Sequence, residues 1–250
     1  MHGKRGYCAF MYTLKQIDCG VGIEVDGGVL AVRQIIGIGR NYAEHALEQG
    51  AEIPDHPLVF AKNINAPILD GEDIVIPAIA RDERFGGNQT DYEAELAVIL
   101  GRDVKDASED DAMEAVLGYC CANDVSARWW QKKGSGGQFN RGKSFDTFCP
   151  LGPRVVAAAE IADPHKLGIV CRVNGEVMQD ANTEQMMFPI PRLIAMLSSG
   201  TTLAAGTVIL TGTPSGVGMA REPQVWLTDG DVVEVEIESV GVLRNRVRFG

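Results

Sequence analysis

Glu93 and Glu95, in the stretch TDYEAELAVIL from Thr90 to Leu100, stand two residues apart at the head of a continuously apolar run. On a strand that spacing puts both carboxylates on one face. They repel each other there, and burying either one is costly without a partner. Either the pair lies at an exposed strand end or a cation sits between the side chains. The C-terminal stretch VVEVEIESVGVLRNRVRF offers a contrast, because Glu234, Glu236 and Glu238 are followed, after a turn at Gly241, by Arg244, Arg246 and Arg248. That pattern predicts a half-exposed hairpin with a cross-strand charge ladder. No local counter-charge follows Glu95, so a buried strand with acids at its mouth is the expectation. Asp124, in CANDVSAR, falls where a buried strand runs into a helix. It is either the helix N-cap or a third carboxylate of a hard-cation site. Three carboxylates plus waters suit Mg²⁺ or Mn²⁺, with positions left open for substrate oxygens.

Other side chains carry acid–base or anion-binding potential. His45 and Glu48 are three apart on a short helix and share a face. They are either surface decoration or a base whose imidazole is oriented by a carboxylate. Arg128 and Gln131 follow Asp124 by one and two helical turns, and either hold a substrate oxygen or face solvent. Lys143 lies in a Gly- and Pro-punctuated segment, RGKSFDTFCPLGP. The loop TGTPSGVG, from Thr211 to Gly218, offers backbone N–H groups and Thr213 to an anion, or is simply a turn. It is not a phosphate or dinucleotide fingerprint.

The elements that must position these residues are mostly strands. GIEVDGGVLAVR predicts a hairpin turning at Asp26-Gly27, and GIVCRVNGEVMQ another at Asn174-Gly175. IIGIG, LVFAK, DIVIP, YCCAN and GTVILTG are short buried strands. Asn41 is placed to cap the His45 helix, Ser108 and Asp111 to open the helix DDAMEAVLG, and Pro191 to open PRLIAMLSS. A second helix, VSARWWQKK, leaves Asp124. Strands outnumber helices and do not alternate with them, which excludes a doubly wound architecture. An α+β, β-rich mixed fold with short peripheral helices is the expectation.

A chain of 250 residues, 45% hydrophobic and 23% charged, can bury a large core in one domain. Its net charge of −11 argues against a nucleic-acid or anionic-membrane partner. No apolar run approaches the roughly 18–20 residues of a membrane span. Cys8, Cys19, Cys120, Cys121, Cys149 and Cys171 show neither CxxC nor disulfide-scaffold spacing, which favours a reducing, cytoplasmic setting. The opening MHGKRGYCAFMYTLK has no signal-peptide core, and a mitochondrial leader stays open as an alternative.

Taken in order, GRNYAEHALEQG, PLVFAKN, DYEAELAVILGR, GYCCANDVSAR, RGKSFDTFCPLGP, RVNGEVMQ, ILTGTPSGVG and GDVVEVEIESVG resemble the fumarylacetoacetate hydrolase family, and its small domain-containing members most. The resemblance covers residues 36–250 and leaves 1–35 as a short N-terminal strand region with an unfixed boundary. It implies a β-roll-like core and a homodimer. It implies Mg²⁺ or Mn²⁺ on Glu93, Glu95 and Asp124, a His45/Glu48 pair on a lid helix, and a catalytic Lys143. Substrate contacts fall to Arg128, Gln131 and Thr213. The implied substrate is a small anionic 2-oxo acid. The implied chemistry is C–C hydrolysis of acylpyruvate- or fumarylpyruvate-type substrates or decarboxylation of oxaloacetate, through a metal-stabilised enolate. Oxaloacetate tautomerisation is the alternative, and a catalytically silent, metal-stapled binding protein the rival from another class. Two departures stand out: Trp129 where relatives carry an acid, and RDERFGGNQ inserted before Asp91.

Overall fold

The computed structural model describes residues 10–18 and 20–250. Cys8 and Cys19 lie outside them, so the reading of those two thiols does too.

The strand Ala94–Leu100 is buried along its whole length, which explains the unbroken apolar run. Its side chains alternate between two cores. Leu96, Val98 and Leu100 join one, while Ala97 and Ile99 join the other. Val116–Asn123 pairs with it antiparallel and splits in the same way, sending Cys121 to the first core and Cys120 and Ala122 to the second. Each fully buried aliphatic side chain contributes about 1.5–3 kcal/mol, so this central pair anchors everything built on it. Around it an eight-stranded sheet runs in the order Met11–Tyr12, Cys149–Ala157, Val116–Asn123, Ala94–Leu100, Thr207–Leu210, Gln34–Gly39, Leu58–Lys62, with Pro67–Ile68 beside Cys149–Ala157. A five-stranded sheet, Glu176–Asn182, Gly168–Val173, Val232–Ile237, Gly241–Phe249, Asp73–Ile76, closes the first core. The three-stranded sheet Leu14–Ile17, Gly20–Val25, Gly28–Ala31 covers the second. The longest helix among the described residues, Ile190–Ser198, has nine residues and carries a proline in its first turn. The fold is α+β and β-rich with short peripheral helices.

Both predicted hairpins form, with Gly20–Val25 against Gly28–Ala31 and Gly168–Val173 against Glu176–Asn182. The C-terminal ladder forms as well, with a change of partners. Glu234 faces Arg244 at 3.7 Å, but Glu236 pairs with Arg172 of the neighbouring strand at 2.7 Å.

Three helix expectations are corrected. Asn41 caps nothing: it is fully buried, and its amide bridges Phe188 O at 3.0 Å and Thr211 O at 2.8 Å while accepting from Phe188 N. The helix it precedes, Ala43–Glu48, has Tyr42 at its N-cap and no side-chain cap. Asp124 is likewise no cap. A two-residue strand, Ser126–Ala127, pairs with Thr90–Asp91 first, and the helix shrinks to Arg128–Gln131. Ser108 does cap Glu109–Ala112 through Asp111 N, but a 3-10 turn, Met113–Ala115, ends that helix early because the chain must enter the central strand at Val116.

Cys120, Cys121, Cys149 and Cys171 are free and buried. Burial pushes the Cys121 and Cys149 thiols up to about 12 and the other two upward as well. Since the thiolate is the nucleophile, these four cysteines should resist iodoacetamide in the native protein near pH 8 and react once it is unfolded. Peptide mass spectrometry reads the result. Ready native labelling at any of the four would contradict this packing.

Candidate active site

The antiparallel register builds the site. Ala94 lies opposite Asn123 and Glu95 opposite Ala122. Just beyond the ladder, Asp124 N donates to Glu93 O at 2.9 Å, bringing Asp124 to the mouth from which Glu93 and Glu95 project. One carboxylate oxygen from each of Glu93, Glu95 and Asp124 falls within 4.8 Å of the others, and all three residues are buried.

Their counter-charge comes from elsewhere in the chain. Lys143, 1% exposed on the short helix Asn140–Lys143, bonds Glu93 Oε2 at 2.6 Å and Asp124 Oδ2 at 2.5 Å. Lys62, at the end of Leu58–Lys62, pairs with the other oxygen of Asp124. Arg128 Nη1 reaches Glu93 Oε1 at 2.6 Å, and its Nε reaches Asp91 Oδ2 at 2.9 Å. Four buried carboxylates, with Asp91 included, thus meet three buried cations. The shortfall falls on Glu95, whose partner is a backbone amide, Gly212 N at 2.6 Å. Burial, followed by Asp124 and Glu93, drives its pKa well above the ordinary carboxylate range. Burial opposes the Glu93 charge too, yet Lys143 and Arg128 outweigh it and hold that pKa low. Burial likewise works against the Lys143 ammonium, and Asp124 and Glu93 reverse the effect and raise its pKa.

Gly212 must be glycine. Its φ is +97°, and a Cβ there would come within 2.7 Å of Asn41 Cβ. Its loop supplies N–H groups to anions, as its composition suggests, but the anions are the protein's own carboxylates. Gly212 N serves Glu95, Gly216 N serves Glu48 at 2.7 Å, and Gly218 N and Met219 N serve Asp91 at 2.8 and 3.0 Å. Thr213 Oγ1 in turn accepts from Gln179 Nε2 at 2.7 Å.

His45 is 3% exposed. Its Nδ1 lies 2.7 Å from Glu48 Oε1 and its Nε2 2.7 Å from Gln49 Nε2. A carboxylate can only accept from a ring N–H, so Nδ1 carries the proton and Nε2 presents its lone pair. The helix is docked rather than free-standing: Glu48 holds Gly216 N, and Ser215 Oγ meets Glu44 at 3.3 Å. His45, Glu93, Gln131, Lys143 and Thr213 line one cleft together with Phe60, and about 10 Å³ of free space remains between them, room for about one water. Arg128 is set back from that cleft. Its guanidinium is taken up by Asp91, Glu93 and Gln131 Oε1, which makes it a brace for Glu93.

Lys62, Asp91, Gln49 and Gln179 were not singled out by sequence reasoning. Two of them carried a signal. Lys62 shares the buried face of its strand with Phe60, two residues earlier, and Asp91 extends the two-residue spacing of Glu93 and Glu95. Gln49 and Gln179 carried none. The two departures from the family pattern meet in space: Phe85, from the inserted segment, packs 5.2 Å from the Trp129 ring and 4.9 Å from Trp130.

The donor set fits a hard divalent cation. Three buried carboxylates converge, Glu95 among them without a cationic partner, and the buried Tyr42 hydroxyl, near enough for Glu95 to raise its pKa further after burial has done so, has no hydrogen-bond partner.

An α+β fold with a buried acidic centre, a neighbouring lysine and a histidine–carboxylate pair describes a class of proteins, and similarity makes it specific. Residues 34–248 match the model of the C-terminal domain of fumarylacetoacetate hydrolase. The mitochondrial oxaloacetate tautomerase fahd2 of Xenopus laevis is 48% identical over 214 residues, which is 86% of this chain and 65% of that protein. The chain thus spans slightly under two thirds of that relative's length. The fumarylacetoacetate hydrolase of Exiguobacterium antarcticum superposes with a TM-score of 0.80 at 32% identity, covering 96% of this chain and 99% of the other. Fumarylpyruvate hydrolase from Pseudomonas aeruginosa, solved with Mn²⁺ and pyruvate, gives 0.79 at 27% identity over 94% and 99%. The chain belongs to the fumarylacetoacetate hydrolase family.

The charge shortfall at Glu95 makes it the most informative ligand to change. Glu95→Gln should fold and keep the Gly212 contact, yet weaken Mn²⁺ binding by more than the roughly 10–100-fold typical of losing an outer-shell partner. Electron paramagnetic resonance of free Mn²⁺ measures this directly. Unchanged affinity would remove Glu95 from the ligand set.

Proposed function

We propose that this chain is a divalent-metal-dependent enzyme acting on small anionic 2-oxo acids through enolate chemistry, with oxaloacetate keto–enol tautomerisation as its leading reaction. The observation that carries this reading is the placement of the His45–Glu48 pair on the same cleft as Glu93 and Lys143. A metal held only as a structural staple needs no oriented base.

In this reading Glu93, Glu95 and Asp124 hold Mg²⁺ or Mn²⁺. Such a cation supplies Lewis-acid stabilisation of enolate charge. The remaining roles fall to the chain itself. Lys143, an ammonium already committed to two carboxylates, adds positive potential where the 2-oxo oxygen gains charge. Gln131 and Thr213, which line the same cleft, orient the substrate's polar ends. Arg128 keeps Glu93 in place. In the enol-to-keto direction the C2 hydroxyl loses a proton and C3 gains one. His45 Nε2 is the proton carrier, with Gln49 releasing it and Glu48 holding the ring.

One observation favours tautomerisation over its neighbours. The Xenopus relative, at 48% identity, bears that activity in its name. Hydrolysis of acylpyruvates is the second reading, supported by the Pseudomonas structure and by space for a water beside His45. There Nε2 takes a proton from water, the water oxygen bonds to the acyl carbon, and the bond from that carbon to C3 breaks to leave a pyruvate enolate. Decarboxylation of oxaloacetate draws on the same enolate stabilisation without an activated water. The relative's mitochondrial designation places the mitochondrion beside the cytoplasm as the proposed compartment. A homodimer completes the proposal, and sedimentation should give twice 26.9 kDa at micromolar concentration; a monomer would contradict it.

The deciding assay follows enol loss, CO₂ and pyruvate separately, from oxaloacetate and acetylpyruvate, with and without Mg²⁺. Metal-dependent enol loss should be fastest. Equal rates without metal would refute the enolate reading. His45→Ala should slow tautomerisation by about 10²-fold or more, the scale of a lost general base, while Mn²⁺ binding survives. A wild-type rate in that variant would leave His45 a structural residue.

A further inference from the structure

A second concave site lies on the other side of Arg128. It has a volume of about 160 Å³ and shares no lining residue with the His45–Lys143 cleft. The half-buried indoles of Trp129 and Trp226 line it together with Met219, and the exposed Lys132 and Lys133 join them.

Its charge sets it apart. The protein carries −11 overall, yet here two lysines meet and neither forms an ion pair among the described residues. Lys132 is exposed, and desolvation by the surrounding groups, followed by Arg128 and Arg40, lowers its pKa. Arg128 also lines this site, and its Nη2, though 2.8 Å from Asp91 Oδ2, makes no aligned hydrogen bond. Unmatched cations beside indole surface attract anions, and indoles favour a flat conjugated body over a hydrated one.

The aromatic wall is supported from behind. Trp129 packs on Trp130 at 5.0 Å and on Phe85 of the inserted segment at 5.2 Å, and Gly86 admits the ring because a Cβ there would lie 2.6 Å from Trp129 Cδ1. An acid at position 129 would place a negative charge beside Lys132 and remove the wall. Tryptophan at 129 and the insertion thus act together to make this surface both apolar and positive.

We propose that this groove is a binding site for a small flat monocarboxylate, of about the size of benzoate, separate from the catalytic cleft. The carboxylate meets Lys132 and Lys133, and the conjugated body lies against Trp129 and Trp226. Because Arg128 contacts both this groove and Glu93, an occupant abuts the residue that braces the acidic centre.

The chain's three tryptophans are the two in this groove and Trp130 packed behind one of them, so intrinsic fluorescence reports on it directly. Sodium benzoate should change the tryptophan emission saturably, with benzamide binding at least about tenfold more weakly, the scale of one lost charge-assisted hydrogen bond. Lys132→Ala/Lys133→Ala, at exposed positions that leave the fold intact, should weaken benzoate by a similar factor. No saturable change, equal binding of benzamide, or an undiminished response in the lysine variant would each overturn the proposal.

Discussion

Everything at the centre of this fold depends on keeping four carboxylates buried in one place. Removing a charge from water without compensation costs several kcal/mol per ion, more than any single aliphatic side chain in the surrounding cores gives back. Lys62, Lys143 and Arg128 meet most of that cost, and each arrives on a different element: an edge strand, a short helix after a long loop, and the helix that follows Asp124. The glycine loop after Thr207–Leu210 contributes the rest as backbone N–H donors. Glu95 is left without a cationic partner, and burial beside Asp124 and Glu93 favours its protonated form. A cation that displaced the Glu95 proton would complete the pairing, which is why the donor set fits one.

That arrangement explains the order of the architecture. Strand Ala94–Leu100 has to be central, because only a strand buried on both faces can hold its first residues in so dry a setting while neighbours converge on them from several sides. Its antiparallel partner then delivers Asp124 by register alone. The same dryness strengthens whatever chemistry is done there, since charge developing on a substrate is felt by Lys143 and the acidic centre with little screening.

Much of this was legible in the sequence and the rest was not, for physical reasons. The strand count, the hairpins at Asp26-Gly27 and Asn174-Gly175 and the buried central strand follow from local periodicity and turn chemistry, which the structure keeps. The convergence of Glu93, Glu95 and Asp124 was readable once the missing local counter-charge was noticed. Its actual counter-charges were not, because Lys62 and Lys143 lie 31 and 50 residues from Glu93 and only the folded sheet brings them near. Asn41 looked like a cap since Asn favours that position; tertiary burial found it better partners at Phe188 and Thr211. The helix after Asp124 shrank because the pairing of Ser126–Ala127 with Thr90–Asp91 claimed its first residues. Arg128 is expected as a substrate contact from its spacing after Asp124, and its hydrogen bonds to Asp91 and Glu93 are partners that no spacing rule reveals.

The central claim is that the carboxyl left without a cationic partner, Glu95, joins Glu93 and Asp124 in holding a divalent cation. Anomalous diffraction from crystals grown with Mn²⁺ tests it most directly. The account predicts one strong peak with oxygens of all three residues within about 2.0–2.3 Å, and Lys143 drawn away from at least one of its two carboxylates. A map with no peak there, and Lys143 still bridging Glu93 and Asp124, would contradict it.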